Sequence, residues 1–162
     1  MATPTQIDQL RLAPRAKVAA ILLNEKFPGT VFTSGYRNLS DQIRVMTLNQ
    51  FRYPGWIGAT YKYGEELQRL ITAKNPITQI AISELIGGYF ESKPADFAIR
   101  FSRHLEGYAF DVQPIVDNTG MPTSEGFQVV DYCRRCLGAE KALLREGGLV
   151  IWHVQFIPTE EV

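Results

Sequence analysis

The chain is poor in the residues that most often carry catalysis, and it has no long apolar run. Its 162 residues include only two histidines and two cysteines, and 17 basic residues balance 17 acidic ones. This balance gives no reason to expect nucleic acid or an anionic membrane as a partner. No stretch approaches the roughly 20 apolar residues that span a bilayer. The composition is typical of a globular chain, and we predict a single domain over residues 1–162, ending with the acidic residues Glu160 and Glu161.

The N-terminal region lacks a recognisable secretion signal. Its most apolar run, Val18–Leu23, is short and has no small-residue cleavage site behind it. An amphipathic helix is therefore the better interpretation of this run.

The two cysteines, Cys133 and Cys136, form a single C-x-x-C pattern. One interpretation is a redox or metal motif. Zinc sites of this type need a second such pair or a neighbouring Cys/His pair, and the chain has no second pair. Two reduced thiols on a helix are therefore the favoured interpretation.

Both histidines lie in patterns that indicate a metal site. His104 belongs to the segment Ser102–Asp111, which has the form Ser-x-His-x-x-Gly-x-Ala-x-Asp. His153 lies in the run Leu149–Ile157, which is apolar apart from His153 and Gln155 and is typical of a central strand covered on both faces. These two polar residues share a parity and are expected to point into the same pocket. Two imidazoles and one carboxylate are the ligands of an open, catalytic-type zinc site.

The second half of the motif predicts a strand with one small-residue face. Gly107, Ala109 and Asp111 share one parity, and the intervening aromatic residues share the other and are expected to be buried. Ala109 leaves room beside a metal, and Gly107 permits the backbone to bring His104 back towards Asp111. For each polar residue alone, a core histidine or a capping aspartate is the stronger interpretation. Together with His153 they favour a metal site, because a polar group in a buried strand needs a partner.

These residues resemble the zinc D-alanyl-D-alanine carboxypeptidase family, which includes D-alanyl-D-alanine dipeptidases and phage L-alanyl-D-glutamate endolysins. Three blocks carry the resemblance in the expected order, and they are Thr33–Arg37 (Thr-Ser-Gly-Tyr-Arg), Ser102–Asp111 and Trp152–His153. The resemblance implies that His104, Asp111 and His153 hold Zn²⁺.

The resemblance also implies a substrate and a cellular setting. Arg37 would steady a substrate carbonyl or carboxylate, and Ser102 and Tyr36 would line the substrate site. The substrate or ligand would be a peptidoglycan peptide. Because no secretion signal is apparent, the protein would be released by lysis of an infected bacterium or carried in a phage particle, with other particle proteins as partners.

The chain departs from the family at the position of the general base. Most relatives carry Glu or Asp three residues before the last zinc ligand, or a His two residues before it, but Val150 and Ile151 stand here. General acid–base assistance is typically worth 10²–10⁴-fold. The nearest replacement bases by sequence are Glu106 and Glu146, although a solvated loop carboxylate and a helix-end charge are the ordinary interpretations of these residues.

Three functional hypotheses therefore remain open at the level of sequence. The first is a zinc-dependent peptidase-like domain that acts on or recognises peptidoglycan peptides. The second is a catalytically inactive structural or interaction protein of the same fold, such as a phage virion component, in which a metal is structural. The third is a plain binding domain without metal.

The remaining pattern predicts an α+β fold, in which a small antiparallel sheet carries the metal ligands near its centre and packs against several helices. Short strands are predicted at Thr30–Thr33 and Ile99–Phe101. The predicted helices are Thr5–Lys26 (divided by Pro14), one from a Ser40 cap to about Phe51, Glu65–Ala73, Ile77–Phe90, and Glu125–Cys136 with a Ser124 cap and with Phe127, Val130 and Leu137 facing inward. Ala139–Arg145 is predicted to continue as helix or turn.

The segment Arg52–Tyr63 is dense in aromatic residues and glycine. Such a segment can stack on a ligand, sugar rings included, or fill a small core. Core filling is the favoured interpretation, since aromatic clusters are more often packing than binding sites.

Overall fold

The computed structural model describes residues 1–158 and has an α+β fold. The predicted acidic end at Glu160 and Glu161 lies outside these residues. The α-helices are α1 (Pro4–Gln9), α2 (Pro14–Lys26), α3 (Leu39–Arg52), α4 (Trp56–Thr60), α5 (Glu65–Lys74), α6 (Gln79–Glu91) and α7 (Ser124–Arg135). The strands are β1 (Phe32–Ser34), β2 (Ala109–Val112), β3 (Lys141–Leu143) and β4 (Trp152–Gln155), and two 3₁₀ helices cover Ala98–Arg100 and Arg103–Glu106. Among the described residues, no helix is long and apolar enough to cross a membrane.

The described residues form two compact units, one of residues 1–36 and 106–158, and one of residues 37–105. The first unit contains the antiparallel sheet, whose strand order is β1-β2-β4-β3. The strands that carry Asp111 and His153 are therefore the two central ones. Their register pairs Asp111 directly with His153 and Ala109 with Gln155. Because side chains alternate along a strand, both pairs face the same side of the sheet.

The opposite parity of the central strands forms the core of this unit. Phe110, Val112, Trp152 and Val154 are all buried there, and they form one cluster with apolar residues of α2 and α7. The predicted burial of the aromatic parity of the motif is thus found for Phe110, while Tyr108 is half-buried at the edge of the cluster. Packing against the helices fixes which face of the sheet is left for the polar pairs.

The connector between α1 and α2 explains two glycines of the sequence motifs. A Cβ atom on Gly35 would lie 2.4 Å from the carbonyl oxygen of Leu10, and one on Gly107 would lie 2.9 Å from the amide nitrogen of Ala13. Hydrogen bonds hold the connector against both glycines. The Ala13 N–H donates to the Gly107 carbonyl, and the N–H of Tyr36, the residue after Gly35, donates to the Leu10 carbonyl. Gly107 has a φ of +77°, as the sequence predicted for a turn between the histidine and the strand.

The second unit is built from α3 to α6 around aromatic side chains. Their rings meet at centroid separations of 5.1–6.3 Å, mostly edge to face, and the cluster consists of Trp56, Tyr61, Tyr89, Phe90, Phe97 and Phe101. Two aromatics of the segment Arg52–Tyr63 thus fill this core, whereas Tyr53 and Tyr63 are exposed. Part of the segment forms α4.

Three local predictions were wrong. Ala139–Arg145 is not helix or turn but contains β3, which pairs with β4. Ile99–Phe101 is not a strand, because the 3₁₀ helix there turns Phe101 into the aromatic cluster. Phe127 does not face inward but is half exposed on α7.

Two helix caps and one strand length also differ from the prediction. Asn38 caps α3 and Thr123 caps α7, each through its side-chain oxygen, in place of Ser40 and Ser124. The run Leu149–Ile157 is regular strand only over β4. Glu146 and Leu149 form a tight turn through Gly147 and Gly148, both with positive φ, which shortens the strand.

The cysteines of α7 differ in environment. Cys133 is buried and Cys136 is exposed, and neither forms a disulfide. Burial raises the pKa of the Cys133 thiol to about 12, so this residue is a protonated thiol at neutral pH.

Candidate metal centre

Three side chains that are remote or only loosely linked in sequence meet at one buried position. His104, Asp111 and His153 each offer a ligand atom, and these atoms all lie within 4.8 Å of one another. All three residues are buried, with 2%, 6% and 3% of their surface exposed. Buried ionisable groups require partners or a metal, because isolated burial of charge is costly. The structure therefore brings together the ligand set that the sequence predicted, as a cluster that could hold a metal ion.

His104 is held by its backbone at both sides. Its N–H donates to the Ser102 hydroxyl over 3.2 Å, and its carbonyl accepts from the Arg37 N–H over 3.0 Å. The residue lies in the 3₁₀ helix Arg103–Glu106, and Gly107 follows in the left-handed conformation. This short helix and the glycine that follows it position the backbone of His104.

Asp111 and His153 are cross-strand neighbours in direct contact. His153 Nδ1 lies 3.0 Å from Asp111 Oδ1. Two ligand atoms at about 2.0–2.1 Å from a tetrahedral zinc ion are about 3.3 Å apart. The pair is slightly closer than this, so a bound zinc ion would need to move the two atoms apart by a small distance. Imidazole nitrogen and carboxylate oxygen are also donors that zinc accepts.

Several charges act on His153. Burial opposes its protonation and by itself lowers its pKa. The hydrogen bond with Asp111, the negative charges of Glu146 and Asp111, and the hydrogen bond with Gln155 outweigh burial and raise the pKa of His153 above its ordinary value. The neighbouring carboxylates thus favour the protonated form of the imidazole.

The two proposed replacement bases occupy different environments. Glu146 is half-buried in the β3–β4 hairpin, and its effect on the pKa of His153 indicates that its charge acts at the cluster. Glu106 is half-buried on the same 3₁₀ helix as His104. At the positions where the base usually lies, Val150 is 38% exposed and Ile151 is half-buried, and neither side chain can accept a proton.

The residues expected to contact substrate have defined contacts within their own units. A guanidinium nitrogen of Arg37 donates to Gln42 Oε1 over 3.3 Å, and the fully buried Gln42 donates to the Tyr61 hydroxyl over 2.9 Å. The Tyr36 ring lies under the Arg11 guanidinium, 4.8 Å from its carbon. Ser102 contributes its hydroxyl to the backbone of His104. Their roles towards a substrate stay predictions.

Sequence reasoning missed Glu140, which accepts from the Gln155 amide over 2.8 Å behind His153 and gave no signal in the sequence. Ser102 was expected to line the substrate site, and its contact with the His104 backbone was not predicted. The shared parity of His153 and Gln155 did predict that both point into one pocket, and His153 Nε2 lies 2.8 Å from Gln155 Oε1.

Searches among family models, curated proteins and solved structures found no match to this chain. The residues and the geometry of the cluster are therefore the basis for a function.

Proposed function

We propose that the protein is a zinc-dependent peptidase-like domain that acts on or recognises peptidoglycan peptides. The proposal is carried by one observation, the buried convergence of His104, Asp111 and His153. The three sequence blocks that resemble zinc D-alanyl-D-alanine carboxypeptidases support the same ligand set. An ion bound by three protein ligands keeps a fourth position for water or substrate, which is the arrangement of catalytic rather than structural zinc sites.

The chemistry divides between the ion and the side chains. Zinc in such a site polarises a carbonyl group and lowers the pKa of a coordinated water to about 7. Glu106 and Glu146 are the candidate proton acceptors, and the negative charge of Glu146, on the hairpin that leads into β4, contributes to raising the pKa of His153. Arg37 would hold the substrate carbonyl or carboxylate, with its guanidinium oriented by the buried Gln42.

The proposed setting is a phage particle or an infected bacterium, with peptidoglycan peptides as substrate or ligand. This part of the proposal is supported only by the resemblance to phage endolysins and cell-wall peptidases. Other particle proteins are the expected partners.

Metal content and peptidoglycan digestion, measured on the same purified sample, test the proposal. We expect one zinc per chain by elemental analysis, and loss of this zinc in His104→Ala and Asp111→Asn. Asp111→Asn retains the shape of the side chain but removes its charge, so it separates ligation from packing. A wild-type protein that holds no metal under non-chelating conditions, with His104→Ala unchanged in stability, would overturn the proposal.

A second candidate function is favoured by Val150 and Ile151, which leave the usual base position without a proton acceptor. It is a structural or interaction protein in which zinc stabilises the fold and no peptide bond is cleaved. Zinc without released peptides would support this candidate. Released peptides that disappear in Glu146→Gln, with zinc retained, would support the peptidase and its displaced base.

A further inference from the structure

Both ring nitrogens of His153 have polar neighbours, and the neighbour of Nε2, Gln155, in turn contacts Glu140. Nδ1 lies 3.0 Å from Asp111 Oδ1, and Nε2 lies 2.8 Å from Gln155 Oε1. The Gln155 amide nitrogen in turn lies 2.8 Å from Glu140 Oε2. The result is a continuous polar chain, Asp111–His153–Gln155–Glu140, that runs from the buried cluster to the surface.

Glu140, at the surface end of this series of hydrogen bonds, determines which group donates and which accepts at each contact. A carboxylate only accepts hydrogen bonds, so Glu140 requires the NH₂ group of Gln155 to point towards it. The amide oxygen of Gln155 must then face His153, and it too only accepts. Nε2 of His153 is consequently the protonated nitrogen, and Nδ1 of the neutral imidazole carries the lone pair.

This tautomer of His153 affects its contact with Asp111. With Nε2 protonated, Nδ1 and the Asp111 carboxylate are two acceptors at 3.0 Å, an arrangement that needs a cation between them. A metal ion held by Asp111 and His153 would meet this need, with the lone pair of Nδ1 as the donor from His153.

The sheet builds this arrangement from the register of three strands. Gln155 pairs with Ala109 on β2 and with Lys141 on β3, and the Glu140 N–H donates to the Gln155 carbonyl over 2.8 Å. Ala109 has no side chain beyond Cβ, which leaves the neighbouring Gln155 side chain space to bend towards His153. The backbone hydrogen bond keeps Glu140 beside Gln155, so its carboxylate lies within hydrogen-bonding distance of the Gln155 amide.

We propose that Gln155 and Glu140 are positioning residues of the metal centre, which hold His153 in the Nε2-protonated form so that Nδ1 binds the metal. Outer partners of metal-bound histidines orient the ring and fix its tautomer, and their loss typically costs 10–100-fold in metal affinity. The inference rests on the proposed zinc site.

Zinc affinity, measured by competition with a chromogenic chelator, tests the positioning role. We expect Gln155→Met, which is similar in size but cannot accept the imidazole proton, to raise the Kd for zinc by about 10–100-fold. Glu140→Leu should raise the Kd by a smaller factor, and Glu140→Gln should restore it only in part, because an amide at this position can accept from Gln155 but can also donate to it. The matched control is Gln128→Met on the exposed side of α7, which should leave the Kd unchanged.

The tautomer itself is read from the wild-type protein, so the test does not depend on a variant that folds. In ¹⁵N-labelled zinc-loaded protein, two-bond ¹H–¹⁵N correlation spectra should show His153 protonated at Nε2 and metal-bound at Nδ1. Metal on Nε2, or an unchanged Kd in Gln155→Met, would overturn the inference while the zinc site stands. A wild-type protein without zinc affinity would instead remove the proposed function on which the inference depends.

Discussion

Gly107 is needed for two separable physical reasons. Its φ of +77° is unfavourable for residues with a side chain, and a Cβ atom would lie 2.9 Å from the Ala13 amide nitrogen. A left-handed non-glycine residue costs about 1–2 kcal/mol. We expect Gly107→Ala to lower the free energy of unfolding by more than about 2 kcal/mol, because steric overlap adds to this cost.

Gly120 provides the matched control for this prediction. It has a similar φ of +82°, but nothing lies within 4 Å of its Cβ position. Gly120→Ala should therefore lose only about 1–2 kcal/mol in urea unfolding experiments. Equal losses in the two variants would show that the close approach to Ala13 has no energetic importance.

The ligand residues were predictable from sequence for a specific reason. The chain has only two histidines, and the spacing from His104 to Asp111 and the parity of His153 with Gln155 are local patterns. Glu140 could not be predicted, because its contact with Gln155 depends on the pairing of β3 with β4. Local pattern thus identified the three side chains that meet in the buried cluster, whereas Glu140 could be recognised only from the strand pairing of the sheet.

For the secondary-structure elements, the dependence on tertiary contacts explains two wrong predictions, β3 and the 3₁₀ helix Ala98–Arg100 before the Ser102–Asp111 motif. Lys141, Ala142 and Leu143 have no strong preference for a strand, and β3 forms because its edge pairs with β4. Ile99–Phe101 has the composition of a strand, but Phe101 packs among the aromatic rings of its unit. In both places tertiary packing overrides local propensity.

Glu66 of α5 contacts the buried Tyr89 of α6 and Lys93, which follows that helix. Glu66 accepts from the Tyr89 hydroxyl over 3.0 Å and from Lys93 over 3.1 Å. The hydrogen bonds from Lys93 and Tyr89 hold the pKa of Glu66 below its usual value of 4.5. A carboxylate with a lowered folded-state pKa contributes stability above its unfolded pKa and loses it as the pH falls through the folded value.

We therefore expect the wild-type protein to lose more stability than Glu66→Gln between pH 5.5 and 3. The measurement is the urea midpoint of each protein across this range. Glu84→Gln on the exposed side of α6 is the control for the loss of a glutamate, and it should follow the wild type. Parallel curves for wild type and Glu66→Gln would contradict the role of this contact.

For the molecule as a whole, the proposed function predicts that zinc stabilises the fold, because an ion held by His104, Asp111 and His153 would join segments that are distant in sequence. At a zinc concentration of 100 times the Kd the stabilisation is about 2.7 kcal/mol. For a chain of this size each kcal/mol shifts Tm by about 2–4 °C, so we expect Tm to rise by about 5–11 °C. The Tm shift should vanish in His104→Ala. It should remain complete in Cys136→Ser, which is the control for zinc binding to the exposed Cys136 thiol. A shift that survives in His104→Ala but is lost in Cys136→Ser would locate zinc at α7 and would contradict the metal centre of His104, Asp111 and His153.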